Sequence, residues 1–343
     1  MLYVTTRSDR DAFTAHRVLH ENRAADGGLF VPFRDPPFSA EEIDDLRNLS
    51  FSQCVASVLN KVFPVKLTFR DVELAMGRYP VRLKQLNQRL LVGECFHNLE
   101  SALSCTISNL TYLMRKDTDK APGEWTAIAI RISLLFGIFG ELMRSGMVSA
   151  ENPLDIAVVA GDFSAPISVW YARKWGLPVG NIICCCNENA NLWDFVCHGQ
   201  LRTDAVAKKT ITPDADFAVP ASLERLIYET GGVHEVTRYL SSLRSGSSYY
   251  MDDRMLQNLR KGIYVTVNSE PRILSTIPAV YATHNYLLSP YSALSYAGLQ
   301  DYRSRTGENR IAMIISEKSP LCDIETVSGV LGKTAGELRE YME

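Results

Sequence analysis

The sequence predicts an α/β protein, with a twisted, mostly parallel sheet flanked by helices. Three observations predict it. Apolar runs of strand length alternate with helical stretches along much of the chain. Between Leu154 and Asn189 they spell one βαβ unit: an apolar run (Ile156 to Val159), a small-residue turn (Ala160, Gly161), a helical segment and a second apolar run from Asn181 to Cys186. Strands of a parallel sheet are buried on both faces, so they read as nearly continuous apolar runs rather than alternating ones. Finally, 343 residues are enough to bury a large core as one large domain or two.

The turn after Val159 stands where a strand gives way to a helix, the end of the sheet at which open α/β folds bind ligands. Backbone amides and a helix N-terminus favour an anion at such a place. The loop instead carries Asp162, itself an anion.

Taken in order, Leu2 to Thr6 reads as a strand, Arg7 to Arg10 as polar, and Phe13 to Asn22 as a helix. Ala25 to Gly28 is a turn into a short strand, Leu29 to Pro32. Ser39 is an N-cap followed by the acidic first turn Glu41-Glu42, with the helix ending near Asn48. Ser52 to Phe63 and Thr68 to Gly77 are further helices, the first closed by Pro64. Leu91 to Met114 reads as a short extended piece and then a helix. Lys116 to Gly123 is a charged linker containing proline and glycine, and Trp125 to Met143 is a long apolar helix. Beyond the βαβ unit, Ser222 caps a helix with Gly231-Gly232 as a stop, His234 to Leu243 continues helically, and another helix runs up to Gly262. Arg260 and Lys261 read as a solvated helix end, and Ile311 to Ile315 as an apolar strand. The domain reading is 1–115 for an N-terminal segment with the first part of the core, 116–124 for a linker, and 125–343 for the main α/β domain.

A net charge of −3 with 22% charged residues gives no support for a nucleic-acid or acidic-membrane partner. The apolar stretch from Ala127 to Met143 is broken by Arg131 and Glu141, too polar for a membrane span. Eight cysteines without a secreted-type framework, and an opening MLYVTTRSDRD with no apolar core, point to a reducing, cytoplasmic compartment. Cys184, Cys185 and Cys186 are neighbours on a strand, so they point to alternate faces and cannot converge on one metal; core packing is the expectation, and no metal site is predicted. Cys197-His198-Gly199 is read as structural too.

Several phrases resemble threonine synthase, a pyridoxal-phosphate (PLP) enzyme. At the start these are Tyr3-Val4-Thr5-Thr6-Arg7 and Ala25-Asp26-Gly27-Gly28-Leu29-Phe30-Val31-Pro32. Glu94, Phe96, His97 and Ala102 match the family phrase Glu-Leu-Phe-His-Gly-Pro-Thr-x-Ala-Phe-Lys-Asp. In this register Ser104 falls at the Schiff-base lysine and Cys105 at the aspartate, and no lysine lies between Lys84 and Lys116. Gly161, Phe163, Ala172, Arg173, Lys174, Gly176, Leu177, Pro178, Asn187, Glu188 and Asn189 match the family's phosphate loop together with its next helix and Asn-Glu-Asn phrase. In the loop Asp162, Ser164 and Ala165 replace asparagine, glycine and asparagine. Pro213, Asp216, Pro220 and Leu223-Glu224-Arg225-Leu226 match a further phrase. Ser289 and Tyr291 stand for an aspartate and a histidine, while Ser316 keeps the hydroxyl that the family places near the pyridine nitrogen.

The resemblance implies a fold-type-II PLP-enzyme-like architecture with the second lobe reduced, since an eight-residue linker stands where the family's cofactor-covering lobe would be. The implied cofactor positions, Ser104, Gly161, Asp162, Phe163, Ser164 and Ser316, are degenerate, so bound PLP is not expected. A serine hydroxyl cannot form an imine with the cofactor's aldehyde. The leading expectation is a threonine synthase-like protein without PLP catalysis, in a binding or partner-subunit role. A homodimer or protein partner would cover surface left by the missing lobe, and a small molecule could occupy the residual cleft. Two alternatives stand beside it. One is rebuilt, cofactor-independent chemistry using His97, Cys95, Cys105, Ser104 or Asp162; the other is an active enzyme holding PLP without its lysine. Lys318 is a further candidate for a relocated Schiff-base lysine.

Overall fold

A computed structural model describes residues 1–36, 38–77, 81–96, 101–116 and 121–342. The chain opens with β1 (Leu2–Thr5), β2 (Ser8–Thr14) and β3 (Phe30–Pro32), an antiparallel sheet in the order β2-β1-β3. Phe13 belongs to this sheet and not to the helix expected from Phe13 to Asn22. It pairs with Tyr3 and meets Phe30 edge to face at 5.3 Å. The helix, Ala15–His20, starts only after Thr14, whose hydroxyl accepts the Arg17 amide. Cross-strand aromatic packing outweighs the helical spacing here.

The next helices begin at capping boxes. Ser39 with Glu42 starts Ala40–Asp44, Ser50 with Gln53 starts Phe51–Val62, and Thr68 with Asp71 starts Phe69–Met76. In each, the cap side chain and the third helical residue satisfy each other's otherwise orphaned amides.

The remaining strands are β4 (Arg82–Asn87), β5 (Leu90–Glu94), β6 (Leu154–Val159), β7 (Val179–Cys186), β8 (Gln200–Leu201), β9 (Tyr249–Tyr250), β10 (Ile263–Val267) and β11 (Ala312–Ser316). Strands β8 and β9 form a small ribbon. The other six form the central sheet in the order β10-β7-β6-β11-β5-β4. All its neighbours pair in parallel except β4 and β5. The mostly parallel α/β sheet is therefore the one the sequence predicts. Strands β4 and β10 were not foreseen.

Strand periodicity divides the core into two layers. Ile156, Val158, Cys184 and Cys186 pack into one layer, Ala157 and Cys185 into the other. The three cysteines are buried on alternate faces, as expected for core packing. In the first layer the helix Glu124–Arg144 lies against Phe51–Val62. Gly137 permits this approach, because a Cβ there would meet the Phe51 ring at 2.6 Å. Among the described residues Glu124–Arg144 is the one helix long and apolar enough to cross a membrane, and most of it is buried inside the protein. In the second layer, helices Glu270–His284 and Pro290–Thr306 pack on each other, and Pro290–Thr306 covers strands β6, β7 and β11.

The helix after Ser222 breaks at Gly232 (φ +67°, ψ −167°) and resumes to Ser245, in line with the Gly231-Gly232 stop and the helical reading of His234 to Leu243. Ser222 stands at its start without capping it, since its hydroxyl accepts the Arg225 guanidinium instead of a helix amide. Arg260 is not a freely solvated end, since its guanidinium donates to the carbonyls of Val196 and Cys197. Of the linker read at 116–124, residues 117–120 lie outside the described residues.

Candidate functional site

Strands β5, β6 and β11 are neighbours through β11, and their carboxyl ends open on one side of the sheet. A cleft of about 440 Å³ lies there. It is walled by Ala102–Ser104 after β5, by Val158–Asp162 with Ser164 and Ala165 around the end of β6, and by Ile315, Glu317 and Lys318 at the end of β11. Arg131, Asp214, Phe217 and Tyr291 complete the wall.

The loop after β6 is built around Asp162. Gly161 has φ +46°, a backbone region open mainly to glycine, and a Cβ there would lie 3.2 Å from the Asp214 carbonyl. Phe163 is also left-handed, at φ +71°, and is fully buried. These turns bring the Asp162 carboxylate back to the start of the helix Ser164–Lys174, where it accepts the Ser164 amide at 2.9 Å. The Asp162 carbonyl accepts the Ser222 amide at 2.9 Å, which ties the loop to the next wall. A carboxylate of the chain itself thus stands at the helix N-terminus, where the macrodipole favours negative charge.

Both cations among the described residues lining the cleft are paired. Arg131 donates to the two carboxylate oxygens of Glu317 at 2.9 and 3.0 Å, a planar fork across the back wall. Burial works against the Arg131 charge, but Glu317, with Asp162 beyond it, more than offsets this and stabilises the guanidinium. The Lys318 ammonium lies 3.3 Å from Asp323, 3.5 Å from Asp214 and 4.7 Å above the Tyr291 ring. Partial burial lowers its affinity for a proton, while Asp323, Tyr291 and Asp214 together raise it above the ordinary lysine value. The Tyr291 hydroxyl donates to the Asp214 carboxylate at 3.1 Å and accepts the Asp214 amide at 3.2 Å. Burial pushes this phenol up to about 12.

The sequence-predicted residues divide three ways. Ser104, Gly161, Asp162 and Ser164 meet in the cleft. Phe163 and Ser316 are buried and do not line it. The Ser316 hydroxyl is buried in a chain of serines, 2.7 Å from Ser292, which is in turn 3.0 Å from Ser289. Cys95 is buried behind the Arg131–Glu317 pair, in a small apolar cavity shared with Leu134, Leu135 and Ile138. Burial pushes its thiol well up, which disfavours the reactive thiolate. Cys105 is exposed beside Ser104 but does not line the cleft. His97 lies outside the described residues.

Sequence reasoning missed Arg131, Asp214 and Phe217 as cleft residues. Arg131 left a trace, being a charge inside an otherwise apolar helix. The loop bearing Asp214 and Phe217 is placed by a polar knot, in which Asn187 Nδ2 donates to Thr210, Thr212 and Asp216, and Asn189 Nδ2 to Asp216.

Comparison with known proteins agrees with this architecture. A family model described as the threonine synthase N terminus matches residues 2–76. Human threonine synthase-like 1 is 26% identical over 159 residues, which is 45% of this chain and 21% of that protein. The match therefore spans only about a fifth of that relative's length. Among solved structures, the PLP-bound threonine synthase from Brucella melitensis superposes with a TM-score of 0.85 at 17% identity, covering 100% of this chain and 94% of that one. The yeast threonine synthase gives 0.83 at 16% identity, with 99% and 94% covered. The chain thus shares the fold of the threonine synthase structures, and at low identity its N-terminal residues 2–76 match the threonine synthase N-terminal model.

Proposed function

We propose that this threonine synthase-like chain has given up Schiff-base chemistry with PLP and retains the cleft as a binding site, in a binding or partner-subunit role. The observation that carries this reading is the amine inventory of the cleft. Ser104 stands where the family phrase has its lysine, and Lys318 is the one lysine among the described residues lining the cleft. An imine forms from an unprotonated amine, whereas Lys318 is held as an ammonium by Asp214 and Asp323. The residues at the loop do not fit the cofactor's phosphate either. Asp162 already occupies the Ser164 amide, and a second anion beside it meets like-charge repulsion. Among the described residues rebuilt chemistry has little to draw on: the Cys95 thiol is buried, Cys105 lies off the cleft, and the Asp162 carboxylate is engaged by the Ser164 amide.

The test is phosphate release from O-phosphohomoserine by the purified chain with added PLP. Release is expected to stay at the no-protein background, and turnover well above it would overturn the proposal. The proposed partner is a second copy or another protein. A 38.3 kDa monomer by sedimentation at every concentration, with nothing co-purifying from its source, would contradict the partner role.

A further inference from the structure

We propose that Cys105 and Cys322 form a thiol pair that closes reversibly to a disulfide across one wall of the cleft. The wall is a clasp of two chain segments. The Leu103 amide donates to the Glu317 carbonyl at 2.7 Å, Ala102 and Lys318 form an antiparallel bridge, and the Ser319 amide donates to the Ser101 carbonyl at 3.1 Å. Cys322 continues this stitching, since its thiol donates to the same Ser101 carbonyl at 3.5 Å. From Ser101 the chain enters the helix Leu103–Arg115, and its first turn brings Cys105 back so that its amide donates to the Ala102 carbonyl at 3.0 Å. Both cysteines therefore flank the Ser101–Ala102 stretch, the Cys322 thiol at the Ser101 carbonyl and the Cys105 amide at the Ala102 carbonyl.

Both thiols are reachable, and they are the two exposed cysteines of the eight; Cys54, Cys95, Cys184, Cys185 and Cys186 are buried and Cys197 is half-buried. Burial pushes the Cys322 thiol up, and the nearby Lys318 ammonium opposes this by favouring the thiolate. Thiolate fraction and access govern the rate of exchange.

The oxidant is a small-molecule disulfide of the glutathione class, RSSR. One protein thiol gives its proton to solvent and attacks RSSR, breaking the S–S bond, releasing RS⁻ and leaving a mixed disulfide. The second thiol then loses its proton and attacks the protein-bound sulfur, expelling the other RS⁻. Two thiols are oxidised by two electrons and one RSSR is reduced to two RSH. The bond joins the first turn of the Ser104 helix to the segment carrying Glu317 and Lys318, so oxidation fixes the cleft wall and reduction frees it. None of this depends on the function proposed above.

The full chain is incubated with oxidised glutathione, alkylated, digested without reduction and analysed by mass spectrometry. The expected product is a Cys105–Cys322 cross-linked peptide, with an intact mass lower by two hydrogens, fully reversed by dithiothreitol. Cys105→Ser and Cys322→Ser should each stop at a single glutathione adduct on the remaining cysteine. Two separate glutathione adducts on the wild-type chain without cross-linking, or no reaction at either cysteine, would overturn the proposal.

Discussion

Asp162 carries a charge that the sequence shows and a role that it conceals. In the sequence it is an anion in a loop of the kind that receives anions. In the fold its carboxylate turns back onto the Ser164 amide at 2.9 Å, so the chain supplies its own negative group to the helix end. The strain of left-handed Phe163, unusual for a bulky residue, helps bring it there. Replacing it tests this role. Asp162→Ala is expected to destabilise the protein by about 1 kcal/mol in denaturant unfolding, the usual net worth of one hydrogen bond, and Asp162→Asn by less, because the amide oxygen still accepts. Equal stability of the alanine variant and the wild type would remove this role. Lys318 shows the same gap between residue and role. Lysine at a strand end is ordinarily solvated, and only the fold reveals the Asp214, Asp323 and Tyr291 around it.

Elements with a strong local pattern were readable, and those defined by their neighbours were not. β6, its following helix and β7 follow from apolar runs around a glycine turn, and Ser39 and Thr68 mark helix starts at the caps later found. β4 was invisible because Arg82–Asn87 is a polar edge strand, defined by pairing with β5 rather than by composition. β2 was misread at Phe13 because its place is set by Tyr3 and Phe30, partners distant in sequence. The glycines of Glu124–Arg144 were equally opaque, since their use depends on the helix Phe51–Val62. Gly137→Val is expected to cost about 1–3 kcal/mol by overpacking against Phe51, despite removing a poor helix former. Thermal unfolding checks this, and an unchanged or raised midpoint would mean that the two helices do not meet at Gly137.

Across the whole molecule, the phrases that resemble threonine synthase touch one another. Glu224 accepts hydrogen bonds from Thr6 and Arg7, and Arg225 donates to the Phe30 carbonyl and to Glu124. The Asn187-Glu188-Asn189 phrase holds the loop that brings Asp214 and Phe217 to the cleft. These contacts couple the N-terminal sheet, the long helix and the cleft wall. That is why the architecture was legible in short phrases and the site was not. The cleft residues that set its charge, Arg131, Glu317, Asp214 and Lys318, come from separate segments and acquire meaning only as pairs. The proposed loss of Schiff-base chemistry rests on those pairs and on Ser104. Its most direct test is to incubate the intact chain with stoichiometric PLP, reduce with borohydride and measure the mass. The chain should return at its unmodified mass; a stoichiometric phosphopyridoxyl adduct mapped to one lysine, Lys318 above all, would contradict the account.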